Sequence, residues 1–165
     1  MISDDIKVIS KSDAIILPGV GSFNDGMKNL QRKNLLSLLD KEVIEKNKPY
    51  LGICLGLEFL VKQSTEGGIH SGFGWINGSV DKISPKNKTL KIPHMGWNDT
   101  TIKESTGLFK DMSDPTFYYL HSYMLNLDNS EFVEFDKGNN IQTRYYDTVR
   151  VDDWDKLELY PQPPD

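Results

Sequence analysis

The chain is almost without cysteine: Cys54 is the only one in 165 residues. A single thiol excludes an internal disulfide and any zinc site built from several cysteines. Histidine is nearly as scarce. His70, His94 and His121 are the only three, and no two have metal-pair spacing on one element, which argues against a metal centre. No apolar run approaches the roughly 20 residues needed to span a bilayer. No charged-then-apolar leader opens the chain, so the cytoplasm is the expected compartment. Lys and Arg number 19 against 24 Asp and Glu, a net charge of -5. With no strongly basic segment, the chain lacks the footprint of a nucleic-acid binder.

What is present is a globular composition, 38% hydrophobic and 26% charged. The length suits one domain, residues 1–165, with a real core. The lone cysteine is the most informative residue. In Lys48-Pro49-Tyr50-Leu51-Gly52-Ile53-Cys54-Leu55-Gly56-Leu57-Glu58 it stands between two glycines, straight after an apolar run. Tyr50 to Ile53 reads as a short buried strand and Leu55 onward as a helix. A cysteine at such a strand-to-helix turn has the geometry of a nucleophile elbow. Gly52 and Gly56 are expected where a Cβ would clash with neighbouring backbone. The helix N-terminus is expected to favour the thiolate.

Earlier in the chain, Ala14-Ile15-Ile16-Leu17 runs into Pro18-Gly19-Val20-Gly21, a parallel strand ending in a glycine-rich loop. Ser22 and Asn24 are both candidate caps for the next element. Leu35, Leu36, Leu39, Val43 and Ile44 recur at helical spacing, which predicts an amphipathic helix over roughly residues 34–46. A second helix is expected after Cys54, with Leu57, Leu60 and Val61 on one face. Alternating strands and helices predict an α/β fold, an open, mostly parallel sheet with flanking helices. Both glycine loops then lie at strand C-terminal ends, where such sheets hold ligands. The second half adds short strands at Ile76–Ile83, Thr89–Ile92, Phe117–Leu120, Phe132–Phe135 and Ile141–Tyr146. Residues 147–165 read as a tail without a sheet or helix pattern.

A cysteine nucleophile needs donors for an oxyanion and a base. The Pro18–Gly21 loop and the Leu55 N–H are the candidate donors. None of the histidines is an obvious partner for Cys54 by spacing. His70 falls in a glycine-rich loop and is expected to be exposed. His94 and His121, flanked by aromatics, read as structural, each satisfied by a backbone hydrogen bond.

Taken together, five pieces resemble the class I glutamine amidotransferases, and within them the HisH-type glutaminase subunits of imidazole glycerol phosphate synthase. They are Ile15-Ile16-Leu17-Pro18-Gly19-Val20-Gly21-Ser22-Phe23, Lys48 through Gly56, Gly72-Phe73-Gly74-Trp75-Ile76, Ile92-Pro93-His94-Met95-Gly96-Trp97-Asn98, and His121-Ser122-Tyr123. The resemblance covers about residues 12–135. It implies a flavodoxin-like α/β fold, no cofactor, and Cys54 as the nucleophile that attacks the side-chain amide of glutamine. It implies Gly19, Val20, Gly21 and Leu55 as the oxyanion site, reached by a peptide flip. Gly52, Gly56, Glu58, Glu66, Ser122 and Tyr123 would line the glutamine pocket. Ammonia would pass to a HisF-type (β/α)8 cyclase in a heterodimer, which Pro93, His94, Met95, Gly96, Trp97 and Asn98 would face.

The chain also departs from the pattern. Position 58 is Glu where the family usually has Gln. The family's first strand, its Asp-Tyr-Gly turn and its first helix have no counterpart in Met1–Lys11, and the Gln-Phe-His-Pro-Glu segment that supplies the catalytic histidine and glutamate is not found. An incomplete copy is therefore expected. The alternatives are a partner-binding subunit that hydrolyses nothing, and a paralogue supplying ammonia for surface-sugar amination.

Overall fold

A computed structural model describes residues 1–85, 91–99 and 116–128. These fall into two compact units, one holding Met1–Lys82 and the strand residues from Met124, the other Ile83–Tyr123. No helix among the described residues is long and apolar enough to cross a membrane.

The first unit opens with helix α1 (Ile6–Lys11), capped by Asp5, whose carboxylate accepts the N–H groups of Lys7 and Val8. Strand β1 (Ile15–Gly19) follows, then α2 (Phe23–Arg32). Of the two candidate caps for α2 it is Ser22 that serves, its hydroxyl accepting the Asp25 N–H. The helix expected over 34–46 forms as α3 (Leu36–Leu39), which runs on into a wider π-helical turn, Asp40–Glu45. Leu35, Leu39 and Val43 bury the expected apolar stripe. Ile44, expected on that face, is exposed, and Glu42 is buried instead. The wider turn shifts the register of the face, and Glu42 brings its own counter-charges: Lys46 Nζ at 2.7 Å and Lys48 Nζ at 2.9 Å. Lys48 also donates to the carbonyls of Ile9 and Ser10, tying α1 to the same corner.

Strand β2 (Tyr50–Cys54) pairs parallel with β1, from Ile15 opposite Tyr50 to Gly19 opposite Cys54. Helix α4 (Leu55–Glu58) then lasts only one turn. The longer helix expected here does not form, because Val61 begins strand β3 (Val61–Ser64), which pairs with β5 (Ile76–Lys82) in parallel and with β4 (His70–Ser71) antiparallel. Val61 is β-branched and fully buried there, and strand pairing overrides the local helical spacing. The four-stranded order is β4-β3-β5-β8, with β8 at Tyr123–Leu127. The core gathers Phe23, Phe59, Leu60, Val61 and Val80, all almost wholly buried. Phe23 meets Phe59 edge-on with ring centroids 5.3 Å apart, a favoured aromatic geometry. The α/β class holds, with parallel and antiparallel pairs mixed across separate sheets.

In the second unit, β6 (His94–Asp99) and β7 (Thr116–His121) form an antiparallel pair. The strand expected at Phe117–Leu120 is present within β7. That expected at Thr89–Ile92 lies partly outside the described residues, and Lys91 and Ile92 are not in strand. Pairing starts only after Pro93, which has no N–H to give a ladder. The strands expected at Phe132–Phe135 and Ile141–Tyr146, and the tail, lie outside the described residues.

Candidate active site

Cys54 closes β2 with φ 54° and ψ -117°, a conformation costly for any residue with a Cβ. The strain is held in place by close packing on either side. A Cβ on Gly52 would lie 2.5 Å from the Gly56 carbonyl oxygen, and one on Gly56 would lie 1.8 Å from that of Leu17. Only glycine lets the first turn of α4 press this closely on β1 and β2. The Tyr50 hydroxyl, buried beneath, donates to the Gly56 carbonyl at 2.9 Å. The outcome is a sharp strand-to-helix turn that leaves the cysteine exposed.

The protonation of that thiol departs from expectation. Its pKa is raised, first by loss of hydration around the sulfur and then by the charge of Glu58; the Leu55 N–H opposes both but does not win. The helix behind Cys54 has four residues, too few for an appreciable dipole.

The parallel register brings Gly19 opposite Cys54, so the loop after β1 begins beside the cysteine. Gly19 also lies against Leu55, where an added Cβ would meet the Leu55 Cβ at 3.1 Å. Val20 is 93% exposed and Gly21 has φ +105°, a conformation that favours glycine. Its far end is fastened by a bond with no sequence signal: the Phe23 N–H donates to Glu66 Oε2 at 2.7 Å. Glu58 is half-buried, and its carboxyl is pushed up to about 7 by burial and by the charge of Glu66. Cys54, Glu58 and Glu66 are therefore electrostatically linked, with Gly19, Val20, Gly21, Gly52, Leu55 and Gly56 around them. Ser122 and Tyr123, also predicted for the pocket, are half-buried and belong to the second unit.

The histidines are arranged differently from the sequence reading. His70 is half-buried on β4 rather than exposed in a loop. His94 and His121 face each other across β6 and β7, and His94 Nδ1 lies 2.8 Å from His121 Nε2. His121 Nδ1 lies 3.1 Å from the Tyr123 carbonyl, which can only accept. His121 therefore donates there and accepts at Nε2 from His94 Nδ1, leaving His94 Nε2 to accept from Asn98 Nδ2 at 2.5 Å. Burial and the charge of His121 push His94 down to about 4. The backbone bond expected of both histidines is found at His121, and His94 bonds to the side chains of His121 and Asn98. The sequence does carry a signal for this relay, since positions 94 and 98 share one face of a strand. The same alternation divides the predicted partner surface. Pro93, Met95 and Trp97 are exposed, with Trp97 at 58%, Gly96 is half-buried, and His94 and Asn98 are buried.

A nucleophile elbow beside a glycine loop is compatible with several hydrolase families. The family model "Glutamine amidotransferase class-I" matches residues 2–146. The chain belongs to the class-I glutamine amidotransferase family. Within that family it is 42% identical over 127 residues to imidazole glycerol phosphate synthase subunit HisH 2 of Vibrio vulnificus, covering 76% of this chain and 59% of that one. It is 43% identical over 134 residues to subunit HisH of Aquifex aeolicus, covering 81% and 63%. It is 41% identical over 141 residues to subunit HisH of Listeria monocytogenes, covering 86% and 66%. The chain thus spans about three fifths to two thirds of the length of these curated relatives.

Proposed function

We propose that this chain is the glutaminase portion of an imidazole glycerol phosphate synthase, acting in the cytoplasm. Cys54 Sγ attacks the side-chain carboxamide carbon of glutamine, and the oxyanion is received by the Gly19–Gly21 loop and the Leu55 N–H. The carbon–nitrogen bond then breaks, ammonia takes up the proton released by the thiol, and a glutamyl thioester remains on Cys54. Water releases glutamate and restores the thiol. Ammonia passes to a HisF-type (β/α)8 cyclase bound as a heterodimer, with Met95 and Trp97 as exposed anchors on this side. There it enters the reaction that yields imidazole glycerol phosphate and aminoimidazole carboxamide ribotide.

The observation that carries this reading is the strained Cys54 elbow, locked by Gly52 and Gly56 and set opposite Gly19. The names of the relatives support the pathway. The test is glutamate release by the chain with and without a HisF-type partner. Thiol-dependent turnover that disappears in Cys54→Ala is expected; no turnover under either condition overturns the reading.

One observation favours a second reading, that of a partner-binding subunit without hydrolysis. The pKa of the Cys54 thiol is raised, first by loss of hydration around the sulfur and then by Glu58, a carboxyl where the family usually has an amide. Complex formation with the cyclase in the absence of any glutamate release is the result this reading requires.

A further inference from the structure

The loop Gly19–Ser22 is held at both ends but little in its middle. At its start, Gly19 is fixed by the ladder to Cys54. Val20 projects into solvent and Gly21 has a positive φ, so neither adds packing. At its end stands Phe23, whose ring is completely buried and whose N–H reaches a carboxylate 43 residues away, Glu66 Oε2, at 2.7 Å. Glu66 is itself anchored. Its N–H donates to Ser64 Oγ at 3.2 Å, Ser64 is fully buried, and the adjacent Thr65 N–H donates to Val80 O at 2.9 Å on β5. A turn fastened to the four-stranded sheet thus reaches across to the loop that follows β1.

We propose that Glu66 is a positioning residue for the anion-receiving loop: its carboxylate clamps the Phe23 N–H and so holds Gly19–Ser22 beside the Cys54 sulfur. The role of the loop rests on the glutaminase reading above; the clamp itself rests on the bond to Phe23. A backbone donor aimed at a developing charge acts only if it is already in place, and a misplacement of about 1 Å costs roughly 100-fold in rate. The carboxylate contributes an acceptor, and an amide oxygen at the same position supplies one too. The clamp therefore predicts a different order of variants from a charge effect or from simple capping of α2.

The experiment compares the full chain, Glu66→Gln and Glu66→Ala by amide hydrogen exchange over residues 19–23 and by glutamate release with the cyclase partner. Glu66→Ala is expected to speed exchange at Val20–Phe23 by about tenfold or more, as loss of a hydrogen bond to a charged group implies. It is expected to lower kcat by roughly 100-fold. Glu66→Gln, which keeps an acceptor for the Phe23 N–H, is expected to return exchange at Val20–Phe23 to the rate of the unmodified chain. The proposal is overturned if Glu66→Ala leaves exchange in the loop unchanged, if only residues beyond Phe23 in α2 and the melting temperature respond, or if exchange in Glu66→Gln is as fast as in Glu66→Ala. If the unmodified chain releases no glutamate, the glutaminase reading fails by itself, and the exchange measurement still decides the clamp.

Discussion

Gly56 lies against Leu17 so closely that a methyl group on Gly56 would sit 1.8 Å from the Leu17 carbonyl oxygen. That approach seats α4 on β1 and forces the chain through the positive φ of Cys54. Neither partner can yield cheaply, because the clash is with backbone inside a paired strand.

Gly56→Ala is therefore expected to destabilise the chain by about 3 kcal/mol or more, the upper range for forced overpacking. Urea unfolding monitored by circular dichroism measures it. Loss of less than about 1 kcal/mol would mean that α4 can lift off β1 without cost.

Glu58→Gln is expected to lower the pKa of the Cys54 thiol, since the Glu58 charge is one of the two causes raising it. Rates of alkylation by iodoacetamide, followed against pH, should show an earlier midpoint in the variant. An unshifted midpoint would leave burial as the only cause.

The same substitution has a predicted effect on stability. Glu58 titrates at about 7 in the fold against 4.5 as a free group. A raised pKa means that the protonated form is the one the fold favours. Its contribution is complete below 4.5 and is lost as pH rises through 7. Glu58→Gln should gain stability over the unmodified chain at pH 8 and little at pH 4, read from urea midpoints at the two values. Equal midpoint shifts at both would contradict this.

Glu42 works in the opposite sense. Hydrogen bonds from Lys46 and Lys48 hold it down at about 2. Its contribution is present above 4.5 and is lost as pH falls toward 2. Lys48→Met removes one of those bonds and two bonds to the Ile9 and Ser10 carbonyls. The two carbonyl bonds alone are worth about 2 kcal/mol. A lower urea midpoint at pH 7 and weaker acid dependence between pH 4.5 and 2 are expected.

His94 should titrate near 4 by NMR, as its neutral form must accept from Asn98 while donating to His121. Because the value is depressed, the contribution of this relay to stability is present above 6.5 and fades as pH falls toward 4. Asn98→Ala, which removes a donor to His94, is expected to raise the titration midpoint. A midpoint near 6.5 in the unmodified chain would break the assigned order of donors.

The elements legible in the sequence are those whose signal is local. The β1 and β2 strands, the glycine loops and the elbow at Cys54 follow from short runs with turn residues at fixed offsets. Helix α1 and strands β3, β4, β6 and β8 escape such a reading, and α4 reads as too long. Strand β3 shows why: Leu57, Leu60 and Val61 fit a helical face, yet Val61 and Ser64 are settled by pairing with β5. In the site, Glu58 and Glu66 are found by resemblance, but their mutual charge effect depends on a proximity that no spacing expresses.

By itself the sequence determined that one thiol stands at a strand end between two residues without side chains, and which family that motif belongs to. Glycine and cysteine chemistry are properties of single residues, so their positions suffice. The folded arrangement alone decided that the pKa of this thiol is raised rather than lowered, that Glu66 reaches Phe23, and that His94 is buried against His121. Hydration, charge and hydrogen bonding act between groups brought together through space, and residues 23 and 66, or 94 and 121, become neighbours only once the strands have paired.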